Sequence, residues 1–206
     1  MLSLLLAAVA VPPTPAASIR FSTGESVTVA GPKNTAGNAD YPWRLTQLLF
    51  PPRKTAAAVR FCYEYPGGTF CEVHLARPGT PVMTLKNSNV TDLLWTADGR
   101  YLIGAGDNTV RLWNLSGGVR AAVPRPLMIT PGITQSSSYI TRLWLDRGDL
   151  CVAAQDQLFG AQGQAKGRSV TTTRYALPTL KGLTMTNYPA GTKRQEADCM
   201  LVRRFD

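Results

Sequence analysis

The chain has 206 residues, of which 44% are hydrophobic, so it is long enough for a domain with a core and is not a largely disordered protein. Its formal net charge is +9, from 22 Lys and Arg residues against 13 Asp and Glu residues. This excess either lies spread over a solvated surface or attracts an anionic partner. Nucleic acid is not favoured as that partner, because no dense run of basic residues with interleaved aromatics is present.

The N-terminal residues have the pattern of an export signal. Met1–Val11 is a short apolar run, well below the roughly 20 residues that cross a membrane, and Ala8-Val9-Ala10 resembles a cleavage site. No Lys or Arg precedes the run, so the alternative is a buried element of the mature fold. We expect a signal peptide over residues 1–17, a single domain over 18–206 and an extracytoplasmic location: periplasm, cell envelope or secreted.

The next elements are mostly predicted to be hairpins. Ser18–Ala30 alternates apolar and polar residues around a Gly24 turn, and Ala57–Leu75 does so around a turn at residues 65–68. Tyr41–Phe50 between them is predicted to be the one short helix, because Asp40 could cap it and its apolar residues recur at helical spacing. Residues 31–40 read as a loop.

The middle and C-terminal parts continue the β pattern. Three strands, Val90–Thr96, Tyr101–Ala105 and Thr109–Leu115, are joined by Asp-Gly and Gly-Asp-Asn turns. Val119–Pro131 is interrupted by proline and offers at most an edge strand. The remaining predictions are a hairpin at Tyr139–Gln157, a loop at Leu158–Ser169, and strands at Val170–Leu177 and Asp198–Phe205.

Residues 89–115 resemble one blade of a WD-repeat or related β-propeller, in which an Asp-Gly hairpin leads into a D-x-T-V-R-L-W-like strand. Asp107 and Trp113 match that pattern and are expected to be structural, whereas the usual Gly-His pair is missing and Trp113 is followed by Asn. Residues 57–75 and 139–157 look like weaker copies. The resemblance implies an all-β fold, a small or incomplete β-propeller-like repeat of antiparallel hairpins; a β-sandwich is the alternative.

The four cysteines predict two disulfides. An even number of cysteines in an exported chain reads as a disulfide framework, for which three pairings are possible. Cys62 faces Cys71 across the predicted hairpin, which favours that bridge and leaves Cys151 to pair with Cys199. The chain has no C-x-x-C and a single histidine, His74, so we expect no metal site; no nucleotide-binding motif is present, and we expect no cofactor.

The function predicted from these features is that of a non-catalytic extracytoplasmic binding or scaffold protein, a subunit of a cell-envelope assembly. Its partners would be proteins, and peripheral association with the envelope fits the same location. An acidic partner would match the basic loop residues Lys166, Arg168, Lys193 and Arg194.

Two alternatives remain at this point. One is an envelope hydrolase or lyase acting on polysaccharide through paired carboxylates drawn from Asp92, Asp98, Asp107, Asp146, Asp149 and Asp156. Aspartates folded into their own turns would favour the scaffold instead. The other is an incomplete propeller that must pair with a further subunit.

Overall fold

The computed structural model of the chain describes residues 11–35, 37, 39–106, 109–124, 133–160, 162–189 and 199, and of 133–139, 141, 188 and 189 only the backbone. The described residues form 14 antiparallel strands in four sheets, three of them four-stranded and one two-stranded. The predicted all-β, incomplete propeller-like fold is confirmed. The chain divides into two compact units, residues 1–50 with 54–85 and residues 51–53 with 86–206.

The first unit contains six strands. The two-stranded sheet pairs β1 (Ala16–Arg20) with β2 (Ser26–Ala30). The four-stranded sheet follows chain order, with β3 (Arg44–Leu49), β4 (Ala57–Tyr65), β5 (Gly68–Ala76) and the short β6 (Met83–Thr84). Both hairpins predicted in this part of the chain are therefore present.

The core of this unit lies between the two sheets. Val59 and Phe61 on one face of β4 are fully buried against Ile19 of β1 and Val29 of β2. Cys62 points to the opposite face of β4 because side chains alternate along a strand. It pairs in register with Cys71 and forms a disulfide with a Cα–Cα distance of 4.1 Å.

The helix predicted over Tyr41–Phe50 is wrong, because Arg44–Leu49 forms the strand β3. A helix of about ten residues is marginal by itself, and packing must supply most of its stability. Here β4 supplies backbone partners instead, with Leu45 opposite Phe61 and Leu49 opposite Ala58 and a register shift between Leu45 and Gln47. Leu45 is 41% exposed, so the apolar residues at helical spacing do not form one buried face.

The second unit contains two four-stranded meanders. The first consists of β7 (Asp92–Trp95), β8 (Tyr101–Ala105), β9 (Thr109–Asn114) and β10 (Val119–Pro124). The second consists of β11 (Ile133–Asp146), β12 (Asp149–Gly160), β13 (Ala165–Ala176) and β14 (Lys181–Pro189). In both, neighbours in sequence are neighbours in the sheet.

The core of this unit joins the two meanders. Ile103 and Leu112 of the first sheet belong to one buried cluster with Leu150 and Val152 of the second. The edge strands β7 and β11 also meet directly, since the Leu143 N–H donates a 3.1 Å hydrogen bond to the Asp92 carboxylate. Repeats of this kind cannot bury both faces alone, and stacking supplies the missing cover.

Predictions for this unit were accurate in the hairpins and poor in the last sheet. The edge strand predicted within residues 119–131 is β10, which lies at the edge of its sheet. The loop predicted over Leu158–Ser169 is wrong, because β12 and β13 extend into it and leave a turn that includes residues 162–164. Strand β14 was not predicted. The strand predicted at Asp198–Phe205 lies outside the described residues, apart from Cys199.

The first strand overlaps the predicted leader. Ala16 and Ala17 lie within the range 1–17 but belong to β1, where Ala17 is buried and pairs with Val29. A cut after residue 17 would remove the start of β1, whereas a cut after Ala10 would keep it whole. The prediction of a leader followed by one domain stays a prediction.

Candidate protein-binding surfaces

Trp113 lies at the centre of the sheet formed by β7–β10. Its side chain is fully buried, and its Nε1–H donates a 3.3 Å hydrogen bond to the carbonyl of Lys86. Gly104 on the neighbouring strand makes room for the ring, since a Cβ there would lie 2.6 Å from Trp113 Cζ3. Asp107, the other residue predicted to be structural, lies outside the described residues.

Asn114 organises the turn between β9 and β10. Its Oδ1 accepts hydrogen bonds from the backbone N–H groups of Ser116 and Gly118, at 3.0 and 2.9 Å, and from the Ser116 hydroxyl at 2.7 Å. An amide oxygen that collects three donors closes this turn. The amide thus provides local turn chemistry at the position where the WD pattern has an aspartate.

Asp98 closes the turn between β7 and β8. Its Oδ1 accepts hydrogen bonds from the Thr96 hydroxyl at 2.6 Å and the Arg100 N–H at 3.0 Å. These two bonds, the Thr96 one first, hold the pKa of Asp98 below its usual value because they favour the charged form. Gly99 in the same turn has φ +69°, a conformation that suits glycine.

Three turns of the second unit surround a cleft of about 330 Å³, here called the turn-end cleft. The β7–β8, β11–β12 and β13–β14 turns contribute its lining: Thr96, Ala97, Asp98, Arg100, Tyr101, Leu145, Gly148, Leu177 and Pro178. Arg100 is exposed, and its guanidinium carbon lies 5.9 Å from the centre of the Tyr101 ring. An apolar floor with one exposed arginine and one exposed carboxylate at its rim is suited to binding a protein segment.

Arg174 links Cys199 to the β11–β12 hairpin. Its Nη1 donates to the Asp146 carboxylate at 2.9 Å and its Nε to the Asp149 carboxylate at 2.8 Å. Arg174 also donates to the backbone carbonyl of Cys199, which forms a disulfide with Cys151, directly opposite Arg174 in the sheet. Both predicted disulfides are therefore present, and the second one lies beside a largely buried ionic cluster.

Of the four basic residues predicted to bind a partner, the structure describes Lys166 and Arg168. Both are exposed, within the fully exposed run Gln162–Arg168 at the β12–β13 connection. This run, here called the basic hairpin, lies at the end of the sheet opposite the turn-end cleft, because β12 runs from one to the other. Lys193 and Arg194 lie outside the described residues.

The described aspartates of the second unit all have structural partners. Asp98 is bound in its turn, Asp146 and Asp149 are bound by Arg174, and Asp92 accepts the N–H groups of Leu93 and Leu143. Asp156 is buried and accepts the Thr171 hydroxyl at 2.7 Å. Among the described residues, no group of three or more His, Cys, Asp or Glu side chains is arranged to hold a metal ion.

His74 is a packed side chain of the first unit. It is 8% exposed, and its ring meets the Phe61 ring edge to face with centroids 5.3 Å apart. Burial lowers the pKa of His74, and the nearby Glu72 carboxylate opposes part of that shift. The chain's one histidine therefore lies in the core of the first unit, on the same face of the β4–β5 hairpin as Phe61.

Residues 79–114 match the family described as WD domain, G-beta repeat. The match begins before β6 and ends with β9, and the strands it covers belong to antiparallel meanders. This segment is a WD-repeat-like, propeller-type repeat. A WD-repeat-like segment indicates a protein-interaction scaffold and protein partners. No curated protein matches the chain.

Two further observations bear on location. The chain has two disulfides, which are compatible with a site outside the cytoplasm. Within the part of the chain that the structure describes, no helix is long and apolar enough to cross a membrane.

Several residues of these surfaces were not identified from sequence. No sequence pattern identified Arg174, because its acidic partners are 25 and 28 residues away in the chain and reach it only through the register of the strands. Arg100 and Thr96 of the WD-repeat-like segment could have been found from the Asp-Gly turn, since turn aspartates commonly bond a hydroxyl or N–H two residues away.

Proposed function

We propose that this chain is a non-catalytic, extracytoplasmic binding protein that serves as a scaffold subunit of a cell-envelope assembly. The observation that carries the proposal is the presence of two disulfides in an all-β chain with a WD-repeat-like segment. Disulfides persist in oxidising compartments outside the cytoplasm. Stacked sheets with short turns supply a rigid surface for partners.

The carboxylates support a binding role over hydrolysis. A glycosidase needs one carboxylic acid and one carboxylate across an open site. Asp146 and Asp149 share one binding partner, but that partner is Arg174, which binds both carboxylates, and Asp146 is only 7% exposed. Fixed in that ionic cluster, the two groups stabilise the fold and do not face a substrate.

The charge distribution supports an acidic partner at the basic hairpin. Lys166 and Arg168 project from a run whose residues are all exposed, and no salt bridge joins either of them to a described acidic residue. Attraction between exposed charges weakens with salt, since the Debye length shortens from about 10 Å at 0.1 M to about 3 Å at 1 M. Binding at this hairpin should show that dependence.

The test is a capture experiment from native envelope fractions, with partners identified by mass spectrometry. We expect the wild type to enrich an acidic protein at low salt, and the double variant Lys166→Ser, Arg168→Ser to lose most of it. The matched control is Arg120→Ser, Lys181→Ser, which removes the same charge from exposed positions elsewhere. If both variants lose the partner equally, the binding depends on net charge alone. If neither variant loses it, the basic hairpin is not the binding surface.

A further inference from the structure

The turn-end cleft has an apolar floor that is continuous with the core of the second unit. Tyr101, Leu145 and Leu177 line the cleft, and all three are half-buried side chains packed against the buried cluster of that unit. Because the core holds these side chains in place, the floor exists before any ligand arrives. An apolar side chain that enters the cleft would leave water for a fixed apolar surface.

Two of the three turns around this floor are fixed by backbone hydrogen bonds. In the β7–β8 turn, the Thr96 N–H donates to the Tyr101 carbonyl at 3.0 Å, and the Gly99 N–H donates to the Thr96 carbonyl at 2.8 Å. In the β13–β14 turn, the Leu180 N–H donates to the Ala176 carbonyl at 2.8 Å. A ligand therefore binds without first having to order these turns, which lowers the entropic cost of binding.

Arg100 is the charged side chain that lines this cleft with a guanidinium group. It is exposed, and its guanidinium carbon lies 5.9 Å from the centre of the Tyr101 ring, so the charge is held beside the apolar floor. Among the described residues, no ion pair joins Arg100 to a carboxylate. Arginine pairs with carboxylates in a defined planar geometry, and the cleft thus offers a partner for one.

Asp98 limits how much negative charge the cleft accepts. Its Oδ1 is bound by the Thr96 hydroxyl and the Arg100 N–H, which lower the pKa of Asp98 and keep the carboxylate charged beside Arg100. Arg147, whose side chain is 75% exposed in the β11–β12 turn, adds a second positive charge nearby. Two guanidinium groups against one carboxylate suit a ligand with a single negative charge, and the apolar floor suits hydrocarbon better than a phosphate or a sugar.

We propose that the turn-end cleft binds a short segment of a partner protein in which an acidic residue lies one or two positions from a leucine. The leucine occupies the floor formed by Tyr101, Leu145 and Leu177, and the carboxylate pairs with Arg100. The volume of about 330 Å³ is at the small end of the roughly 300–1,000 Å³ of ligand sites, so the cleft holds a few side chains of the segment. The inference rests on the proposed binding function, but it names a surface other than the basic hairpin.

The first test is an NMR titration of the ¹⁵N-labelled full chain with the capped hexapeptide Gly-Leu-Ser-Glu-Leu-Gly. We expect saturable amide shifts at Gly99, Arg100 and Gly148, which surround the cleft, and no shift at Gly163 in the basic hairpin. The same peptide with glutamine in place of glutamate should bind about two- to fivefold more weakly, as expected for an ion pair open to solvent. A peptide with serine in place of both leucines should give no saturable shift.

The second test is the same titration of Arg100→Gln, which removes the charge and keeps the backbone N–H that binds Asp98. This variant should bind the glutamate and glutamine peptides equally. The matched control is Arg120→Gln, which should keep the preference for glutamate, because Arg120 is exposed on β10 and β9 separates that strand from β8. The preference of the wild type should also decrease between 0.1 M and 1 M salt, because salt screens an exposed ion pair.

Three results would overturn the inference. They are shifts that fail to saturate or that spread beyond the cleft, equal affinity of the wild type for the glutamate and glutamine peptides, and the same loss of preference in Arg100→Gln and Arg120→Gln. None of these results bears on the capture of an acidic partner through Lys166 and Arg168. Failure at the cleft and failure at the basic hairpin are therefore distinguishable.

Discussion

Replacing Trp113 by alanine tests the packing of the WD-repeat-like sheet most directly. The side chain is fully buried, and large-to-small changes of this kind cost about 3–5 kcal/mol in free energy of unfolding. The change also removes the donor to the Lys86 carbonyl, at about 1 kcal/mol. We therefore expect a loss of about 3–5 kcal/mol, towards the upper end of that range because the hydrogen bond is lost as well.

Gly104 allows the same contact to be tested from the other side. A Cβ there would lie 2.6 Å from Trp113 Cζ3 and 2.9 Å from Cη2, both atoms of a rigid buried ring. Gly104→Ala should cost about 1–3 kcal/mol through overpacking. In the Trp113→Ala background the ring is absent and the nearest remaining atom is Val90 Cγ1 at 3.1 Å, so the same change should cost less.

The assay is urea unfolding followed by far-UV circular dichroism for the wild type, both single variants and the double variant. The double-mutant cycle should give a coupling of about 1–2 kcal/mol between the two sites. An additive cycle would show that the ring does not lie over Gly104. Unchanged stability of Trp113→Ala together with lost partner binding would make Trp113 a surface contact and refute the blade alignment.

Three further predictions concern covalent structure and pH. Non-reducing peptide mapping of the native protein should recover both disulfides, and four free thiols would contradict the extracytoplasmic location. N-terminal sequencing of the mature protein should begin at Val11, because a cut after residue 17 would truncate β1. Burial lowers the pKa of His74, so the folded state binds this proton less readily than the unfolded state. The free energy of unfolding should thus fall as pH decreases from about 6.5 towards the lowered pKa, and His74→Asn should lack this component.

The hairpins could be predicted because their signals are local. Alternation of apolar and polar residues sets which face a strand buries, and glycines such as Gly24 and Gly148 mark turns that need positive φ. Both glycines do occupy that region, at 85° and 87°. The Cys62–Cys71 bridge followed from the same reasoning, since a short turn fixes the register of the two strands.

The errors arose where local pattern and tertiary pairing disagree. Tyr41–Phe50 has helical spacing of apolar residues, but β4 offers an exposed edge whose backbone groups need partners. The Gly/Gln-rich stretch at 158–169 has weak strand propensity, yet β12 and β13 stay paired from Leu150 opposite Tyr175 to Phe159 opposite Ala165. Strand length here is set by the partner strand, which no local window contains.

The ionic cluster around Arg174 shows why the candidate site was only partly predictable. In the sequence, Asp146 and Asp149 resemble a carboxylate pair that could serve catalysis, and nothing nearby in the chain contradicts that role. Register decides otherwise, because pairing Cys151 with Arg174 places a guanidinium between the two carboxylates. A buried charge that loses its closest partner is costly, so removing Arg174 would leave Asp146 with only the exposed Arg147, 4.0 Å away, and destabilise the hairpin. The pair therefore belongs to the structure that holds Cys199, and among the described residues we propose the basic hairpin and the turn-end cleft as the surfaces for partners.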